Sequence, residues 1–396
     1  MRSIFDEMYE PIKLKGKIRM FEAFSGVGTQ LMALKRITSN YEIVGYSEID
    51  KYAIQSYHAI HGDVKAYGDI TKMKEIPPCD IFTYSFPCTD LSKAGKQKGM
   101  TKHTRSGLVY EVLRLVRETQ NKPKVLIMEN VPDLIQTNFV RQFGEIQLEL
   151  ERMGYMNYVE TLNAKDFGVA QNRDRVFMVS VLDGSYEFPE TMKLEKRLKD
   201  YLEDDVSEKY YLSDKQIESI INPIYESMGI DRVNEIDGVS TAVTTAFMPS
   251  IAIPEATKQG YALAHDGDGV YINRPHQKRG VVQDQMIQTI KTSGNDIGVV
   301  VGGIIDDTQG YDGVRYYNDL SPTLRSERSG LKTLTNNLRI RKLTPLECWR
   351  LMGISDEDFY KAQASGVSNS QLYKQAGNAI CVPVFEAILR RMIEDE

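Results

Sequence analysis

The segment from Lys17 to Asp183 alternates short apolar runs with amphipathic stretches. The apolar runs are rich in β-branched and aromatic residues, and the stretches between them have a helical period. This alternation predicts a parallel sheet whose strands are joined by crossover helices, which is an α/β fold. The predicted strands are KIRMFEAF, YEIVGYSEI, DIFTYSF, KVLIMEN and VFMVSV, and the first predicted helix is VGTQLMALKRI.

The chain changes character after Asp183. Between Gly184 and Ile340 the residues Gly, Thr, Asn and Asp are frequent and no long helical period is sustained, which predicts a smaller domain of short strands and loops. The last segment, VPVFEAILRRMIEDE, regains a helical period and is expected to pack on the sheet. We therefore predict a catalytic and cofactor-binding domain at 1–183 completed by 370–396, an inserted domain at 184–340, and a hinge and closing motif at 341–369.

Charge and cysteine content exclude several classes of protein. A formal net charge of -6 argues against a chain that coats nucleic acid indiscriminately. Two local runs are nevertheless basic, with five Lys or Arg and no acid at 93–105, and six against one acid at 325–342. The four cysteines are scattered without a CxxC pair, so neither a disulfide framework nor a metal site is indicated. Because no apolar run approaches the ~18 residues of a membrane span and no secretory signal is recognisable, we expect a cytoplasmic protein with no membrane partner.

Three stretches of the second region are alike: DGVSTAVTT at 237–245, DQMIQTIKT at 284–292 and NDLSPTLRS at 318–326. Each begins with Asp or Asn, has a small and then an apolar residue at places six and seven, and ends with Thr or Ser. Two interpretations stay open. The stretches are either repeated units with a functional meaning or similar edge strands that share turn chemistry.

The turn after the first predicted strand, residues 24–28 (FSGVG), is suited to a close approach by a ligand, because glycines there open the helix N-terminus. Leu31 stands where a dinucleotide fingerprint has its third glycine, which disfavours a pyrophosphate. Glu48, at the end of the second strand, is suited to ribose hydroxyls. Asp69 and Ile70 follow at a third strand end and are suited to adenine. A nucleoside without phosphates fits best, and S-adenosylmethionine is such a molecule.

Reactive side chains lie at the ends of three further predicted strands. Cys88 follows DIFTYS, Glu129 follows the buried run KVLIM, and Arg173 and Arg175 lead into VFMVSV. The carboxyl ends of parallel strands collect ligands at one sheet edge. A thiolate that adds to C6 of cytosine turns the ring into an enamine whose C5 can capture a methyl group, and a carboxyl group and guanidiniums nearby would stabilise that addition.

Seven motifs follow one another along the chain: FSGVG, FPC with its lysine-rich loop, TRSGL, ENV, QNRDR, RKLTPLECWRLMG and QAGNAICVPV. In this order they resemble the motifs of bacterial and bacteriophage cytosine-5 DNA methyltransferases. The resemblance covers roughly 17–182 and 341–390, a little over half of the chain. It implies a Rossmann-like S-adenosylmethionine-dependent methyltransferase sheet with an inserted target-recognition domain.

The resemblance also assigns roles to single residues. It implies Cys88 as nucleophile, Glu129 as partner of N3, Arg175 near O2 and the thiol, and Arg173 in support. Two departures are visible: Thr89 replaces the usual Gln, and Ala379 replaces the usual Ser of the last motif. Both lie beside the reacting atoms, so we expect altered tuning and retained activity. The implied cofactor contacts are Phe24, Gly26, Gly28, Glu48, Ile49, Asp69, Ile70, Leu108, Asn378 and Ala379.

The expected partner is double-stranded DNA, whose target cytosine must be flipped out of the stack at a cost of a few kcal/mol. The basic loop that follows Cys88 is suited to closing on phosphates. In the family a Thr-Leu pair of the inserted domain touches the flipped nucleotide; Thr323–Leu324 resembles it best and Thr289–Ile290 is a second candidate. We expect a monomer, and a cognate restriction endonuclease stays open. The predicted DNA-binding residues are Lys93, Lys96, Lys98, Arg105, Thr323, Leu324, Arg325 and Arg328.

Three rival interpretations were weighed. Methylation of RNA uses the same chemistry, but the large inserted domain favours duplex DNA. A catalytically silent DNA-binding regulator is expected to have lost Cys88, Glu129 or Arg175, and all three are present. A dehydrogenase requires the missing third glycine and leaves the FPC and ENV motifs unexplained.

Overall fold

A computed structural model describes residues 10–87, 105–136, 139–213, 215–217, 220, 250–258, 260–273, 278–302, 304–306, 315–317 and 339–394. The chain forms two compact units. The first is Met1–Val169, Arg173–Glu195 and Trp349–Glu396, and the second is Ala170–Asn172 and Lys196–Cys348. Within the described ranges, no helix has the length and apolar character needed to cross a membrane.

Six strands form the sheet of the first unit, in the order β2-β1-β3-β4-β7-β5. The apolar runs read from the sequence are confirmed as β1 to β4 and β7. Strands β3 and β4 are buried along their whole length, as expected for central strands covered on both faces. The strands are β1 (Ile18–Ala23), β2 (Tyr41–Ser47), β3 (Ile81–Tyr84), β4 (Val125–Asn130), β5 (Met156–Asn163) and β7 (Asp174–Val181).

Strand direction differs in part from the expected parallel arrangement. Strands β2, β1, β3 and β4 are parallel, but β7 runs antiparallel to both β4 and β5. Strands β5 and β7 are separated only by residues 164–173. A parallel connection needs a crossover of about a dozen or more residues, so this short connection imposes the antiparallel pairing.

Helices cover both faces of this sheet. On one face, apolar residues of α3 and α4 pack on alternate residues of the central strands in one hydrophobic cluster. In addition, α1 packs against α8, and α2 packs against α6. The predicted first and last helices are thus confirmed. The helices are α1 (Thr29–Lys35), α2 (Lys51–His61), α3 (Val109–Glu118), α4 (Val140–Arg152), α5 (Pro345–Arg350), α6 (Asp356–Ala364), α7 (Asn369–Asn378) and α8 (Val382–Arg390).

The described part of the second unit consists of short strands and loops, as its composition predicts. Its largest sheet has the order β11-β10-β13-β16, and three two-stranded pairs join β12 with β6, β14 with β15 and β8 with β9. The strands are β6 (Gln171–Asn172), β8 (Ser250–Pro254), β9 (Tyr261–His265), β10 (Gly269–Tyr271), β11 (Val282–Gln283), β12 (Ile287–Gln288), β13 (Ile297–Val301), β14 (Ile304–Asp306), β15 (Arg315–Tyr317) and β16 (Arg339–Lys342).

The second unit has a small apolar core and a buried ion pair. Ile253, Val270 and Ile340 are among the residues of this core. Arg341 donates to both carboxylate oxygens of Glu347, at 2.8 and 2.7 Å, and both side chains are fully buried. Glu347 also accepts from the Thr344 N–H, and the Thr344 hydroxyl accepts from the Glu347 N–H. This reciprocal capping begins α5, which accounts for the spacing of Thr and Glu in RKLTPLE.

Candidate active site

The turn that follows β1 has an unusual backbone. Phe24, Gly26 and Gly28 all have left-handed φ angles, of 56°, 56° and 79°. Gly28 is also the N-cap of α1, and a Cβ there would lie 2.5 Å from His61 Nε2. Both the conformation and the close contact require glycine at this position. The turn keeps the predicted cofactor residues at the end of the sheet.

A buried carboxyl group lies beneath this turn. Glu22, in β1, is fully buried; it accepts from the Leu31 N–H at 3.0 Å and from the Tyr57 hydroxyl at 2.6 Å. Burial raises the pKa of Glu22 to about 7, while these two hydrogen bonds oppose the shift. The Leu31 N–H lies in the first turn of α1, where a phosphate ligand would bind. Because Glu22 already accepts from it, this helix terminus is poorly suited to a pyrophosphate.

His61 packs against the same turn. Its Nε2 lies 3.0 Å from the Val27 carbonyl oxygen, and its Nδ1 lies 3.1 Å from Lys35 Nζ. A carbonyl only accepts and an ammonium only donates, so these partners select the neutral tautomer with hydrogen on Nε2. Burial, and secondly the charge of Lys35, lower the pKa of His61 to about 3.

Glu48 joins the end of β2 to the glycine turn. Its Oε2 accepts from the Gly26 N–H at 3.0 Å, and its Oε1 accepts from the N–H groups of Ile49 and Asp50 at 2.7 and 2.9 Å. The predicted cofactor residues Gly26 and Glu48 are therefore in direct contact. The neighbouring side chain of Ile49 is 73% exposed, which is unusual for a large apolar residue.

A helix near the C-terminus holds the segment that follows Glu48. Asp50 caps α2 by accepting from the N–H groups of Tyr52 and Ala53. Lys374, in α7, forms an ion pair of 2.5 Å with Asp50, and Gln375 donates to the Tyr52 carbonyl at 2.9 Å. The beginning of the last motif, QAGNAICVPV, is thereby hydrogen-bonded to the segment that follows the predicted ribose-binding residue Glu48.

The other predicted cofactor residues lie at different depths. The expectation that Asp69 and Ile70 follow a third strand was wrong, because they lie between α2 and β3. Asp69 there caps a 3-10 turn by accepting from the N–H and the hydroxyl of Thr71. Ile70 is 3% exposed and packs in the hydrophobic cluster of the first unit. Leu108 is the N-cap of α3 and packs against the same cluster. Asn378 ends α7, and Ala379 follows it as C-cap.

The ends of β3 and β4 meet where the reactive residues were predicted. Tyr84 is paired with Met128, so the residues that follow each strand are neighbours. The Asn130 amide donates to the Phe86 carbonyl at 3.1 Å, and the Ser106 hydroxyl donates to the Pro87 carbonyl at 2.7 Å. Cys88 itself lies outside the described residues.

Glu129 and Arg175 form an ion pair at this edge. Arg175 Nε lies 3.0 Å from Glu129 Oε1, and the two side chains are 17% and 11% exposed. The antiparallel β7 brings its first residues beside the last residues of β4, which explains the pairing. Two of the predicted catalytic residues are thus in contact, and both keep some exposure to solvent.

Arg173 has a different set of partners. Its guanidinium donates to the carbonyls of Gly377 and Ala379, at 3.1 and 2.9 Å, and the residue is 3% exposed. The arginine therefore fixes the backbone of the last motif, QAGNAICVPV, and its supporting role in catalysis stays a prediction.

Most of the predicted DNA-binding residues lie outside the part of the chain that the structure describes. Arg105 begins a 3-10 turn that ends at Leu108. The second candidate for the Thr-Leu pair is described: the Thr289 hydroxyl donates to the Asn172 carbonyl at 2.8 Å within the second unit. Lys93, Lys96, Lys98, Thr323, Leu324, Arg325 and Arg328 lie outside the described residues, as do the similar stretches at 237–245 and 318–326.

Several contributors to the site were missed from the sequence. Glu22 could have been recognised from the sequence, because an acid interrupts the apolar run RMFEAF. Lys374 could not have been recognised, because its partner Asp50 is 324 residues away. Asn130 and Ser106 stand within quoted motifs, but nothing in the motifs indicated that they would contact the backbone before Cys88.

The sequence of the chain is similar to those of known proteins. The family described as C-5 cytosine-specific DNA methylase matches residues 18–394. The orphan methyltransferase M.SPRI of Bacillus phage SPR is 31% identical over 96% of this chain and 98% of its own length. The type II methyltransferase M2.ScrFI of Lactococcus lactis subsp. cremoris is 30% identical over 96% of this chain and 100% of its own length.

Solved structures support the fold. The Entamoeba histolytica methyltransferase EhMeth has a TM-score of 0.60 at 17% identity and covers 95% of this chain and 98% of its own. The Dnmt2 methyltransferase of S. pombe has a TM-score of 0.57 at 17% identity and covers 94% of this chain and 97% of its own. The fold is therefore that of an α/β methyltransferase.

The chain belongs to the C-5 cytosine-specific DNA methylase family. It is an enzyme of cytosine-5 methylation, and its methyl donor is S-adenosylmethionine. The fold class, the family and the cofactor predicted from the sequence are thus confirmed.

The described residues fit such a donor. A carboxylate has about four acceptor positions, and three backbone N–H groups occupy positions on Glu48, so one remains on Oε2 for a ribose hydroxyl. The buried hydroxyls of Ser25 and Ser85, after β1 and β3, have no hydrogen-bond partner within the described part of the chain. Together with the exposed Ile49, these groups provide polar and apolar partners for a nucleoside.

Proposed function

We propose that the chain methylates carbon 5 of cytosine in double-stranded DNA, with Cys88 as a transient covalent nucleophile. The observation that carries this proposal is the ion pair between Glu129 and Arg175. It lies at the end of the strand next to the one that leads into Cys88. At that edge the Glu129 carboxyl group is able to bind the exocyclic amine and, through a shared proton, N3, while the Arg175 guanidinium is able to donate to O2 of the same pyrimidine ring.

The proposed reaction begins with addition. The Cys88 thiolate forms a bond to C6, and the C5–C6 double bond becomes an enamine with electron density at C5. The Glu129 carboxyl group accepts from the exocyclic amine and shares a proton with N3; this proton passes to N3 on addition and returns when the ring is restored, while Arg175 donates to O2. S-adenosylmethionine would supply an electrophilic methyl group to C5 and would leave as S-adenosylhomocysteine. Loss of the C5 proton to solvent and breakage of the carbon–sulfur bond restore the ring and release the thiolate.

The proposed cofactor contacts follow β1 and β2 and continue in the 3-10 turn that begins after Asp69. Glu48 binds the ribose, Ile49 packs on the adenine, and Asp69 with Ile70 lies at the adenine edge. Arg173 supports this region because it holds the backbone of the last motif at Gly377 and Ala379. The remaining contacts are Phe24, Gly26, Gly28, Leu108, Asn378 and Ala379.

DNA engagement is proposed on the sequence alone. Lys93, Lys96, Lys98 and Arg105 bind phosphates near the flipped cytosine. Thr323–Leu324, with Arg325 and Arg328, contacts the flipped nucleotide and its neighbours, and the region 184–340 selects the target sequence. The region 1–183 with 370–396 carries the chemistry, and 341–369 connects the two.

Other partners and the setting of the reaction are supported only by relatives. M2.ScrFI is a type II methyltransferase and M.SPRI an orphan one. We propose a monomeric enzyme that acts in the cytoplasm of a bacterial or phage-infected cell. Sequencing of bisulfite-treated DNA from a host that expresses the enzyme gives the target sequence of the enzyme. Incubation of unmethylated host DNA with the products of neighbouring genes tests for a restriction endonuclease.

Replacement of the nucleophile tests the reaction. Cys88→Ala is expected to abolish methyl transfer to a duplex that contains the target, while cofactor affinity stays within about twofold. Cys79→Ala is a matched control, because burial raises the pKa of that core thiol to about 12 and it plays no part in the chemistry. Turnover by Cys88→Ala would contradict the proposal. Transfer to RNA and not to duplex DNA would favour the rival substrate.

A further inference from the structure

Two carbonyl groups immediately before Cys88 are held by buried side chains. The Phe86 carbonyl accepts from the Asn130 amide, and the Pro87 carbonyl accepts from the Ser106 hydroxyl. Asn130 is 2% exposed and Ser106 is 0% exposed. The two anchors come from different elements, since Asn130 ends β4 and Ser106 lies in the 3-10 turn before α3.

The orientation of the Asn130 amide is fixed by its other partner. Its Oδ1 accepts from the Val131 N–H at 2.9 Å, so Nδ2 is directed to the Phe86 carbonyl. A backbone N–H only donates and a carbonyl only accepts, so no other assignment of oxygen and nitrogen satisfies both groups. The amide therefore acts as a fixed donor toward the chain that leads into Cys88.

We propose that Asn130 and Ser106 are positioning residues for Cys88. This inference rests on the proposed function. Both residues act through the peptide groups of Phe86 and Pro87 and touch no reacting atom. They set the direction in which the backbone enters residue 88.

Elementary backbone geometry explains how two hydrogen bonds are sufficient. Each peptide group is planar, so an anchored carbonyl fixes the orientation of its whole plane. The ring of Pro87 fixes the φ angle between the two planes near -65°. Anchoring Phe86 O and Pro87 O therefore constrains the direction in which the chain leaves Pro87. A thiolate that must reach C6 of a flipped base benefits from such preorganisation.

The test measures how fast the covalent bond forms. A duplex with 5-fluorocytosine at the target position, supplied with S-adenosylmethionine, stops the reaction before the sulfur can leave, since the fluorine cannot be lost as a proton is. Ser106→Ala is expected to slow adduct formation about tenfold at saturating DNA and cofactor, because reacting groups misplaced by a fraction of an ångström lose much of their rate. Cofactor affinity is expected to stay unchanged.

Ser180→Ala is the matched control. Ser180 is equally buried, lies in β7 of the same unit, and donates a hydrogen bond of the same 2.7 Å length to Asn157. Partial misfolding lowers the amplitude of the adduct, whereas poor positioning lowers its rate constant, so the two effects are separable. A lower rate constant in Ser106→Ala but not in Ser180→Ala supports the inference. Equal rate constants in the wild type, Ser106→Ala and Ser180→Ala overturn it.

A second variant and a reference variant complete the design. If Ser106→Ala does not fold, Asn130→Ala is measured in the same way, and a wild-type rate constant there overturns the inference. Ser106→Thr keeps a hydroxyl, and recovery of the rate constant supports a role for the hydrogen bond. Cys88→Ala is expected to form no adduct. An adduct in Cys88→Ala refutes the proposed function itself, whereas a fast Ser106→Ala with an inert Cys88→Ala refutes only the positioning role.

Discussion

The two halves of the sheet edge in the first unit are held in opposite ways. On the cofactor side, ionisable carboxyl groups accept from backbone N–H groups: Glu22 accepts from Leu31, and Glu48 from Gly26. On the reacting side, side chains donate to backbone carbonyls: Asn130 donates to Phe86, and Ser106 to Pro87. Arg173 also donates to carbonyls, those of Gly377 and Ala379.

Because of this difference, the hydrogen bonds of the two halves respond differently to pH and to neighbouring charge. Carboxyl groups titrate, and their hydrogen bonds depend on protonation and neighbouring charge. Amide and hydroxyl donors do not titrate at ordinary pH, and a guanidinium stays charged. The side chains of Asn130 and Ser106, which hold the backbone before Cys88, are therefore insensitive to pH, whereas Glu22 beneath the glycine turn titrates with a raised pKa.

Among the variants that compare the two halves, the largest expected effect comes from Glu129, whose carboxyl group lies on the reacting side. Glu129→Gln keeps the shape of the side chain but removes the charge that pairs with Arg175 at 3.0 Å. We expect turnover to fall about 1,000-fold, because groups that stabilise charge developing in a reacting ring typically contribute 100-fold to 10,000-fold. Steady-state methyl transfer to duplex DNA measures the effect.

Glu160→Gln is the control for this variant. Glu160 and Glu129 are both paired with Phe177 of β7, from opposite sides, so they occupy the same row of the sheet. Glu160 is exposed and lies one strand further out. Similar losses in both variants would mean that Glu129 acts on the stability of the sheet and not on the reaction.

The sequence predicted β1 to β4 and β7 because each contains a short apolar run, but it did not predict β5, whose residues are mostly half-buried or exposed. It did not predict the direction of β7, since hydrophobic periodicity contains no information on direction. The short connection 164–173 contained that information, because ten residues are too few for a crossover. The character of the second unit could also be predicted from composition, but the pairing of its short strands could not, because it depends on contacts between distant residues.

The candidate site was predictable where motifs combine chemistry with position. Glu129 and Arg175 were expected at one edge and are in contact there. The ties between distant segments were not predictable, as the pair of Asp50 and Lys374 illustrates. A sequence shows which groups are able to hydrogen-bond, but only the folded chain decides which peptide group each one meets.

The second prediction concerns pH and the groups beneath the glycine turn. The pKa of Glu22 is raised from 4.5 to about 7, so between these values the folded state keeps a proton that the unfolded state has lost. Stability therefore falls as pH rises through this window, by at most about 3 kcal/mol, since one pKa unit is worth about 1.4 kcal/mol. Glu22→Gln should remove this slope, so its free energy of unfolding relative to the wild type rises between pH 4.5 and 7.

His61 gives the opposite slope. Its pKa is lowered from 6.5 to about 3, so the unfolded state binds a proton that the folded state lacks, and stability falls as pH falls through this window. His61→Gln should therefore gain stability relative to the wild type on acidification. Urea unfolding of both variants across this range measures the two trends, with Ser180→Ala as a pH-independent control. Differences that stay constant with pH would show that neither group keeps its altered protonation in the folded state.

The smallest expected effect is on cofactor affinity. Glu48→Gln retains one carbonyl oxygen but turns an amide donor toward backbone N–H groups that need an acceptor. It also removes the acceptor position proposed for the ribose. We expect the dissociation constant for S-adenosylmethionine to rise about tenfold, the equivalent of one charge-assisted hydrogen bond. Isothermal titration with the cofactor measures it.

Glu42→Gln separates this effect from a general change in charge. Glu42 lies near the beginning of β2, at the other end of the strand that Glu48 follows, and forms an exposed ion pair with Lys17. Affinity for duplex DNA should be unchanged in both variants, because neither residue belongs to the proposed DNA contacts. If Glu48→Gln weakened DNA binding and left cofactor binding intact, the assignment of the carboxyl-rich half of the edge to the cofactor would be wrong, and with it the contrast between the two halves.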